Sequence, residues 1–115
     1  MKRRADLIEE IAKYKSDITN AKNEIQKYPW DCENELYTLT RSDLLNIFER
    51  YLKNEITNDE LFSWASFLEC RDDLKYEEEA EAIIDKTIFW LANPEINYPI
   101  NKQLIARLKK ELLAN

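Results

Sequence analysis

The apolar residues of the first 28 positions recur with the period of an α-helix. From Leu7 to Tyr28 they follow one another at alternating intervals of four and three residues, which places them on one face of a helix. This spacing predicts a single long amphipathic helix that ends at Pro29, because the residue before a proline is pushed out of the helical region. The stripe comprises Leu7, Ile11, Tyr14, Ile18, Ala21, Ile25 and Tyr28.

Two later segments carry the signals that open an α-helix. Thr40 is followed three residues later by Asp43, and Thr57 is followed three residues later by Glu60. At this spacing the two side chains of each pair can bond to each other's backbone N–H groups, which is the capping-box arrangement. Apolar residues at helical intervals follow both pairs, so a helix is predicted to start at each. Asn54 lies between them, where a residue that tolerates a left-handed conformation can end a helix.

Two further helices are predicted in the C-terminal part of the chain. One runs from about Tyr76 to Leu91, and the other follows an N-cap residue at Asn101. The loop between them contains Ile96 and Tyr98, which we expect to attach it to the core because both side chains are large and apolar.

The tryptophans are expected to divide between the core and the surface. Trp64 falls on the apolar stripe of the third helix and is expected in the core, with Phe62 beside it. Trp30 is an apolar anchor in the connector that follows the first helix. Trp90 lies off the stripe of its own helix, so it can either anchor an interface or cover one end of the bundle.

The chain contains no glycine, which bears directly on the fold class. Glycine supplies the positive backbone angles of the commonest hairpin turns, and no segment alternates between apolar and polar residues as a strand does. A length of 115 residues corresponds to one domain. The sequence therefore predicts a single all-α domain over residues 1–115, a bundle of about five helices with a long N-terminal amphipathic helix.

The composition excludes the commonest kinds of catalytic site. Histidine is absent, so neither a Ser–His nor a Cys–His nucleophile can form, and without glycine there is no phosphate-binding loop. Cys32 and Cys70 are the only cysteines, too few for a disulfide framework or a zinc site, and they are expected to be reduced and largely buried. We therefore expect no enzymatic activity, no cofactor and no metal centre.

The apolar segments are too short for a membrane protein. No run approaches the length that a membrane-spanning helix needs. The charged N-terminus is not followed by the apolar segment of a signal peptide. These features predict a cytoplasmic protein without a membrane partner.

Acidic residues are concentrated in the middle of the chain. Between Glu55 and Glu81 there are ten carboxylates and two cations, a net charge of −8 within an overall charge of −6. A field of this sign steers basic partners toward the surface and repels the phosphates of nucleic acids. The basic ends of the chain are too short to outweigh it. A basic protein partner is therefore expected, and direct binding of nucleic acid is not.

Three segments resemble those of a known group of proteins. They are residues 28–31 (YPWD), 64–74 (WASFLECRDDL) and 91–96 (LANPEI). In this order and at this spacing they resemble small, acidic, all-helical bacterial immunity proteins, including those of contact-dependent growth inhibition systems. The resemblance covers roughly residues 5–112, and it departs from the expected pattern at Asn54, where a glycine would be expected.

The resemblance implies a one-to-one complex with a cognate toxin, often a basic nuclease, whose substrate groove an acidic surface would cover. Proteins of this kind diversify at the binding surface, so contact residues cannot be carried over from them. The candidates are instead the carboxylates near the matching segments, with Tyr76 as the aromatic anchor. These candidates are Asp59, Glu60, Asp72, Asp73, Tyr76, Glu77, Glu78, Glu79 and Glu81.

Other interpretations of the same features remain open. The glutamates from Glu77 to Glu81 can simply complement the positive end of a helix dipole, and Arg71 can be a structural ion-pair hub between carboxylates. The acidic surface would also suit a bacterial adaptor or regulatory subunit. The Leu7–Tyr28 stripe can be a homo-oligomer interface, in which case changing Ile11 and Ile18 to Asp would dissociate a dimer.

Overall fold

Apolar side chains three and four residues apart give each longer helix one face that packs into a shared core. The computed structural model describes residues 3–15, 18–28, 35–69 and 71–114. Within these ranges it confirms the predicted all-α class. The elements are α1 (Arg4–Lys13), α2 (Thr19–Ile25), β1 (Tyr37–Leu39), α3 (Arg41–Leu52), α4 (Asn58–Leu68), β2 (Leu74–Tyr76), a short 3-10 helix (Glu78–Ala80), α5 (Glu81–Ala92) and α6 (Lys102–Ala114).

The prediction of one long N-terminal helix is wrong. The first helix ends after Lys13, because Tyr14 adopts the left-handed conformation with φ of 48° and ψ of 53°. The N–H of Lys15 then bonds to the carbonyl of Glu10 at 3.3 Å, which closes a Schellman-type helix end. Contacts from other helices hold Tyr14 in place: Arg50 donates to its carbonyl oxygen, and its hydroxyl donates to Glu60 at 3.1 Å.

The apolar spacing could not reveal this break. Two shorter helices that bury the same stripe satisfy the pattern as well as one long helix does. The stripe residues Leu7, Ile11 and Tyr14 are buried on one side of the break, and Ile18 and Ile25 are buried on the other. The stripe therefore belongs to the core of the chain, and it is not exposed as a homo-oligomer interface. The predicted stop at Pro29, together with Trp30, Cys32 and Cys70, lies outside the described residues.

Both predicted capping boxes are confirmed. The hydroxyl of Thr40 accepts from the N–H of Asp43 at 3.1 Å, and the carboxylate of Asp43 accepts from the N–H of Thr40 at 3.1 Å. The corresponding distances between Thr57 and Glu60 are 3.1 and 2.8 Å. Asn54 has the expected left-handed conformation, with φ of 65°. These local signals fix where α3 and α4 begin and how the chain turns between them.

The C-terminal helix also begins where the sequence predicts. The side-chain oxygen of Asn101 accepts from the N–H of Leu104 at 2.8 Å, which satisfies one of the free donors at the start of α6. The inward face of α6 then buries Leu104, Leu108 and Leu112. This helix packs against both α3 and α5.

A short parallel pair of strands was not predicted. Tyr37 pairs with Leu74, and Leu39 pairs with Tyr76. Each strand has three residues, which is too short for an alternating pattern to stand out in the sequence. Tyr76 therefore lies in β2, and the helix predicted from about Tyr76 begins instead as a 3-10 turn before α5 starts at Glu81.

Three large side chains expected in the core are exposed. Phe62 is 41% exposed because it lies two positions from the fully buried Trp64, which turns it to the opposite side of α4. Ile96 is 67% exposed and Tyr98 is 47% exposed, so the loop before α6 is not anchored by burying them. Tyr98 instead packs its ring against Trp90, with 5.1 Å between the ring centroids.

The contrast between two aromatic residues on α4 gives a test of the core. Trp64 is 0% exposed, and its indole N–H donates to the carbonyl of Ala12 at 3.1 Å. We expect Trp64→Ala to lower the free energy of unfolding by about 3–5 kcal/mol, because it leaves a cavity and removes the indole donor to the Ala12 carbonyl. Phe62→Ala on the same helix should cost less than about 1 kcal/mol. Urea unfolding of both variants measures the difference, and equal losses would contradict this placement of the core.

Candidate acidic interface

The nine candidate contact residues lie in three places. Asp59 and Glu60 are in the first turn of α4. Asp72 and Asp73 form the turn before β2, and Tyr76 ends that strand. The remaining candidates precede or begin α5, and these are Glu77, Glu78, Glu79 and Glu81.

Asp73 is the clearest correction to the predicted set. It is 1% exposed, so its side chain has no surface to offer a partner. Arg71 binds both carboxylate oxygens at 2.9 Å through Nε and Nη2, and Arg4 Nε binds Oδ2 at 3.1 Å. The carbonyl of Asp73 also accepts from the N–H of Leu36 at 2.9 Å. Asp73 is therefore a structural residue. Arg71 makes the expected structural ion pair in this turn, but the residue that joins two partners is Asp73, which binds both Arg71 and Arg4.

The charge of Asp73 is maintained by its two arginines. Burial acts to raise the pKa of the carboxyl group, because a charged form is disfavoured away from water. The hydrogen bonds and positive charges of Arg71 and then of Arg4 outweigh that effect, and they hold the pKa of Asp73 below its ordinary value of 3.8. The carboxylate therefore stays ionised and paired at neutral pH.

Two of the other candidates are also committed to the fold. Glu60 completes the capping box of α4 and accepts the hydroxyl of Tyr14. Glu77 accepts the backbone N–H of Arg41 at 2.8 Å, which fixes the start of α3 against the end of the strand pair. Tyr76 is half-buried and packs against the core. These side chains contribute to the surface only in part.

The remaining candidates are exposed. None of them forms an ion pair with another residue in the described ranges, so their charges are not cancelled by a close partner there. Glu78, Glu79 and Glu81 lie at the N-terminal end of α5, where the helix dipole favours negative charge. We refer to these three residues as the α5 patch. The other exposed candidates are Asp59 and Asp72.

The acidic stretch does not form one continuous face. Tyr51, near the end of α3, donates its hydroxyl to Asn58 beside Asp59, whereas Glu77 contacts Arg41 at the start of α3. Ten residues of helix separate these two contacts, a distance of about 15 Å. Screening at physiological salt acts over about 8 Å. The carboxylates at the start of α4 and those of the α5 patch therefore lie near opposite ends of α3.

One acidic residue that belongs to the same surface of α5 was not among the candidates. Asp85 is exposed and follows Glu81 by four residues, and Phe89 follows Asp85 by four more. Residues at this spacing share one face of a helix. The spacing is visible in the sequence, but Asp85 lies outside the acidic stretch from Glu55 to Glu81 on which the choice of candidates was based.

A second cluster, which is partly exposed, joins the end of α5 to α6 and carries the opposite charge. The ammonium of Lys86 lies 4.4 Å from the centre of the Trp90 ring, and the guanidinium of Arg107 lies 5.9 Å from it. Tyr98 completes the cluster. Lys86 and Arg107 both also pair with Glu111, so these cations mainly support the packing of α6 on α5.

The described residues contain no group of three potential metal ligands. In the same part of the chain, no helix combines the length and the apolar character needed to cross a bilayer.

Comparison with known proteins assigns no family to the chain. No protein-family model, no curated protein and no solved structure matches it. These comparisons do not test the resemblance to immunity proteins, which rests on the three sequence segments alone. Two of these segments lie in the described part of the chain, apart from residue 70. Residues 64–74 include the second half of α4 and the turn before β2, and residues 91–96 include the end of α5 and the loop that follows it.

The ion pairs of Asp73 lead to a prediction about stability. Asp73→Asn would leave Arg4 and Arg71, which are 12% and 9% exposed, without their shared counter-charge. We expect the free energy of unfolding at neutral pH to fall by about 3 kcal/mol. Asp72→Asn removes the neighbouring exposed carboxylate and is the matched control. Denaturant unfolding should show that the free energy of unfolding of this control falls by less than about 0.5 kcal/mol.

The stability difference between wild type and Asp73→Asn is also expected to depend on pH. Because the pKa of Asp73 is lower in the folded than in the unfolded state, its stabilising effect is present above the ordinary value of 3.8 and is lost as the pH falls through the folded value. The difference between wild type and Asp73→Asn should therefore narrow as the pH is lowered from 7 to about 3. Unfolding curves at several pH values would measure this narrowing. A difference that stays constant would show that folding does not lower the pKa of Asp73.

Proposed function

We propose that this chain is an immunity protein that binds a basic protein toxin and neutralises it by covering its active site. The observation that carries the proposal is the α5 patch, three exposed carboxylates without an ion-pair partner among the described residues. The sequence resemblance to small acidic immunity proteins supports the same function. The partner is expected to bind one-to-one, with no cofactor.

The α5 patch lies on the 3-10 turn Glu78–Ala80 and on the first residue of α5, which is a well-packed helix. On the inner face of that helix, Ile84, Ile88 and Leu91 are at most 1% exposed. Charges on such a support keep their spacing before the partner arrives, so less ordering is required on binding. This favours recognition of a surface of complementary shape and charge.

Inhibition in this proposal is physical and requires no reaction by the chain. Negative potential at the α5 patch would accelerate the encounter with a cationic protein, with an effect that weakens as salt is added. A toxin that acts on nucleic acid needs a cationic groove to hold phosphates. An acidic protein seated over that groove would exclude the substrate.

Charge reversal tests the role of the α5 patch. We design a variant with Glu78→Lys, Glu79→Lys and Glu81→Lys, and leave Glu77 unchanged because it contacts the backbone of Arg41. Immobilised wild type should retain one basic protein from lysate of the source cells. The variant should lose it, with an association rate at low salt reduced about 10- to 100-fold.

A matched control separates the position of the charges from the total charge. It carries Asp6→Lys, Glu55→Lys and Glu95→Lys, three exposed carboxylates outside the candidate set. Each substitution changes the charge by two units, so both variants go from −6 to zero. Circular dichroism must first show that both are folded. Equal loss of the partner in both variants would contradict a specific role of the α5 patch.

Neutralisation is tested separately from binding. The captured protein is expressed alone and together with each form of this chain. Growth arrest that wild type and the control variant relieve, and that the α5-patch variant does not, is the expected result. A captured partner that has no effect on growth would contradict the immunity function and favour the adaptor or regulatory role.

A further inference from the structure

A cleft opens between β2 and the second half of α5, next to the α5 patch. Its volume is about 280 Å³, and its lining includes Tyr76 from β2 and Asp85 and Phe89 from α5. Phe89 is 41% exposed although its side chain is large and apolar. The cleft therefore presents aromatic surface and a carboxylate side by side, and we call it the Tyr76–Phe89 cleft.

The charges around the cleft leave it negative. Arg71 also lines it, but two of its nitrogens bond to the carboxylate of Asp73 at 2.9 Å, which it shares with Arg4, so its charge is compensated in part, and the two carboxylates of the lining outnumber it. Glu69 contributes a second carboxylate, which accepts from the side-chain amide of Asn93 at 3.0 Å. Asp85 is exposed and has no ion-pair partner within the described ranges. A positively charged group that enters the cleft could therefore form an ion pair with the carboxylate of Asp85.

The cleft continues the surface of the α5 patch. Glu81, Asp85 and Phe89 are separated by four residues each and so lie along one face of α5. A partner that contacts Glu81 is therefore one helical turn away from Asp85. The cleft is smaller than most small-molecule sites, which are about 300–1,000 Å³, and its size suits a single side chain.

We propose that the Tyr76–Phe89 cleft binds an arginine side chain of the basic partner. A guanidinium group is planar, stacks on aromatic rings and pairs with a carboxylate through two parallel hydrogen bonds. A lysine ammonium is more strongly hydrated and gains less from aromatic walls. The inference rests on the proposed function for the identity of the partner, and it adds the chemical group that the partner must present.

The test uses a small probe and does not require the partner. N-acetylarginine methylamide is titrated into isotopically labelled wild-type protein, and the ring signals of Tyr76 and Phe89 are followed by NMR. Saturable shifts in the millimolar range are expected at these rings. Asp85→Asn should weaken binding about five- to tenfold, because a charge-assisted pair is lost. Phe89→Ala, which removes one aromatic wall, should also weaken it.

Each variant has a control of the same chemistry on α4. Asp59→Asn removes another exposed carboxylate, and Phe62→Ala removes a phenylalanine that is also 41% exposed. Both should bind the probe as wild type does. N-acetylcitrulline methylamide has nearly the same shape without the charge and should not bind.

Several results would overturn the inference. They are the absence of saturable shifts at Tyr76 and Phe89, equal binding of N-acetylcitrulline methylamide or of N-acetyllysine methylamide as a further probe, or unchanged binding by Asp85→Asn. Failure of the proposed function would appear differently, as the capture of no basic protein by wild type. Arginine binding at the cleft can therefore be rejected while the immunity function stands, and the reverse also holds.

Discussion

Two arginines from distant parts of the chain converge on one buried carboxylate, and much of the fold is arranged around that contact. Asp73 binds Arg71 in its own turn and Arg4 at the start of α1, and its carbonyl accepts from Leu36 just before β1. A buried carboxylate is costly unless it is paired, so the contact between Arg4 of α1 and this turn stabilises the fold. This single residue sets the position of α1 relative to the strand pair and to the turn that follows α4.

Some carboxylates of the acidic stretch are used inside the fold and are not part of a binding surface. Asp73, Glu60 and Glu77 lie within it, yet each is used to hold the chain together. Net charge counts these residues equally with those that face solvent. The surface proposed to meet a partner is consequently smaller than the sequence suggests, and it is centred on the α5 patch and the adjoining Tyr76–Phe89 cleft. Its strength would come from the position of its carboxylates at the start of a well-packed helix more than from their number.

Features that depend on neighbouring residues were predictable, and those that depend on distant contacts were not. The capping boxes at Thr40 and Thr57 are formed by side chains three residues apart, so the sequence showed them directly. The end of α1 at Tyr14 depends on contacts with Arg50 and Glu60, which come from other helices. The strand pair is held by backbone bonds between short segments, where side-chain patterns carry little information.

The sequence by itself determined the helical class, most of the residues that fill the core and the acidic character of the chain, because periodicity and composition are local properties. Only the tertiary structure decided which carboxylates reach solvent, where the N-terminal stripe breaks, and that a cleft forms beside α5. Arg4 and Asp73 are 69 positions apart, and nothing in the residues around either one indicates the other. Burial and ion pairing depend on which distant segments are in contact, and these contacts form only when the whole chain folds.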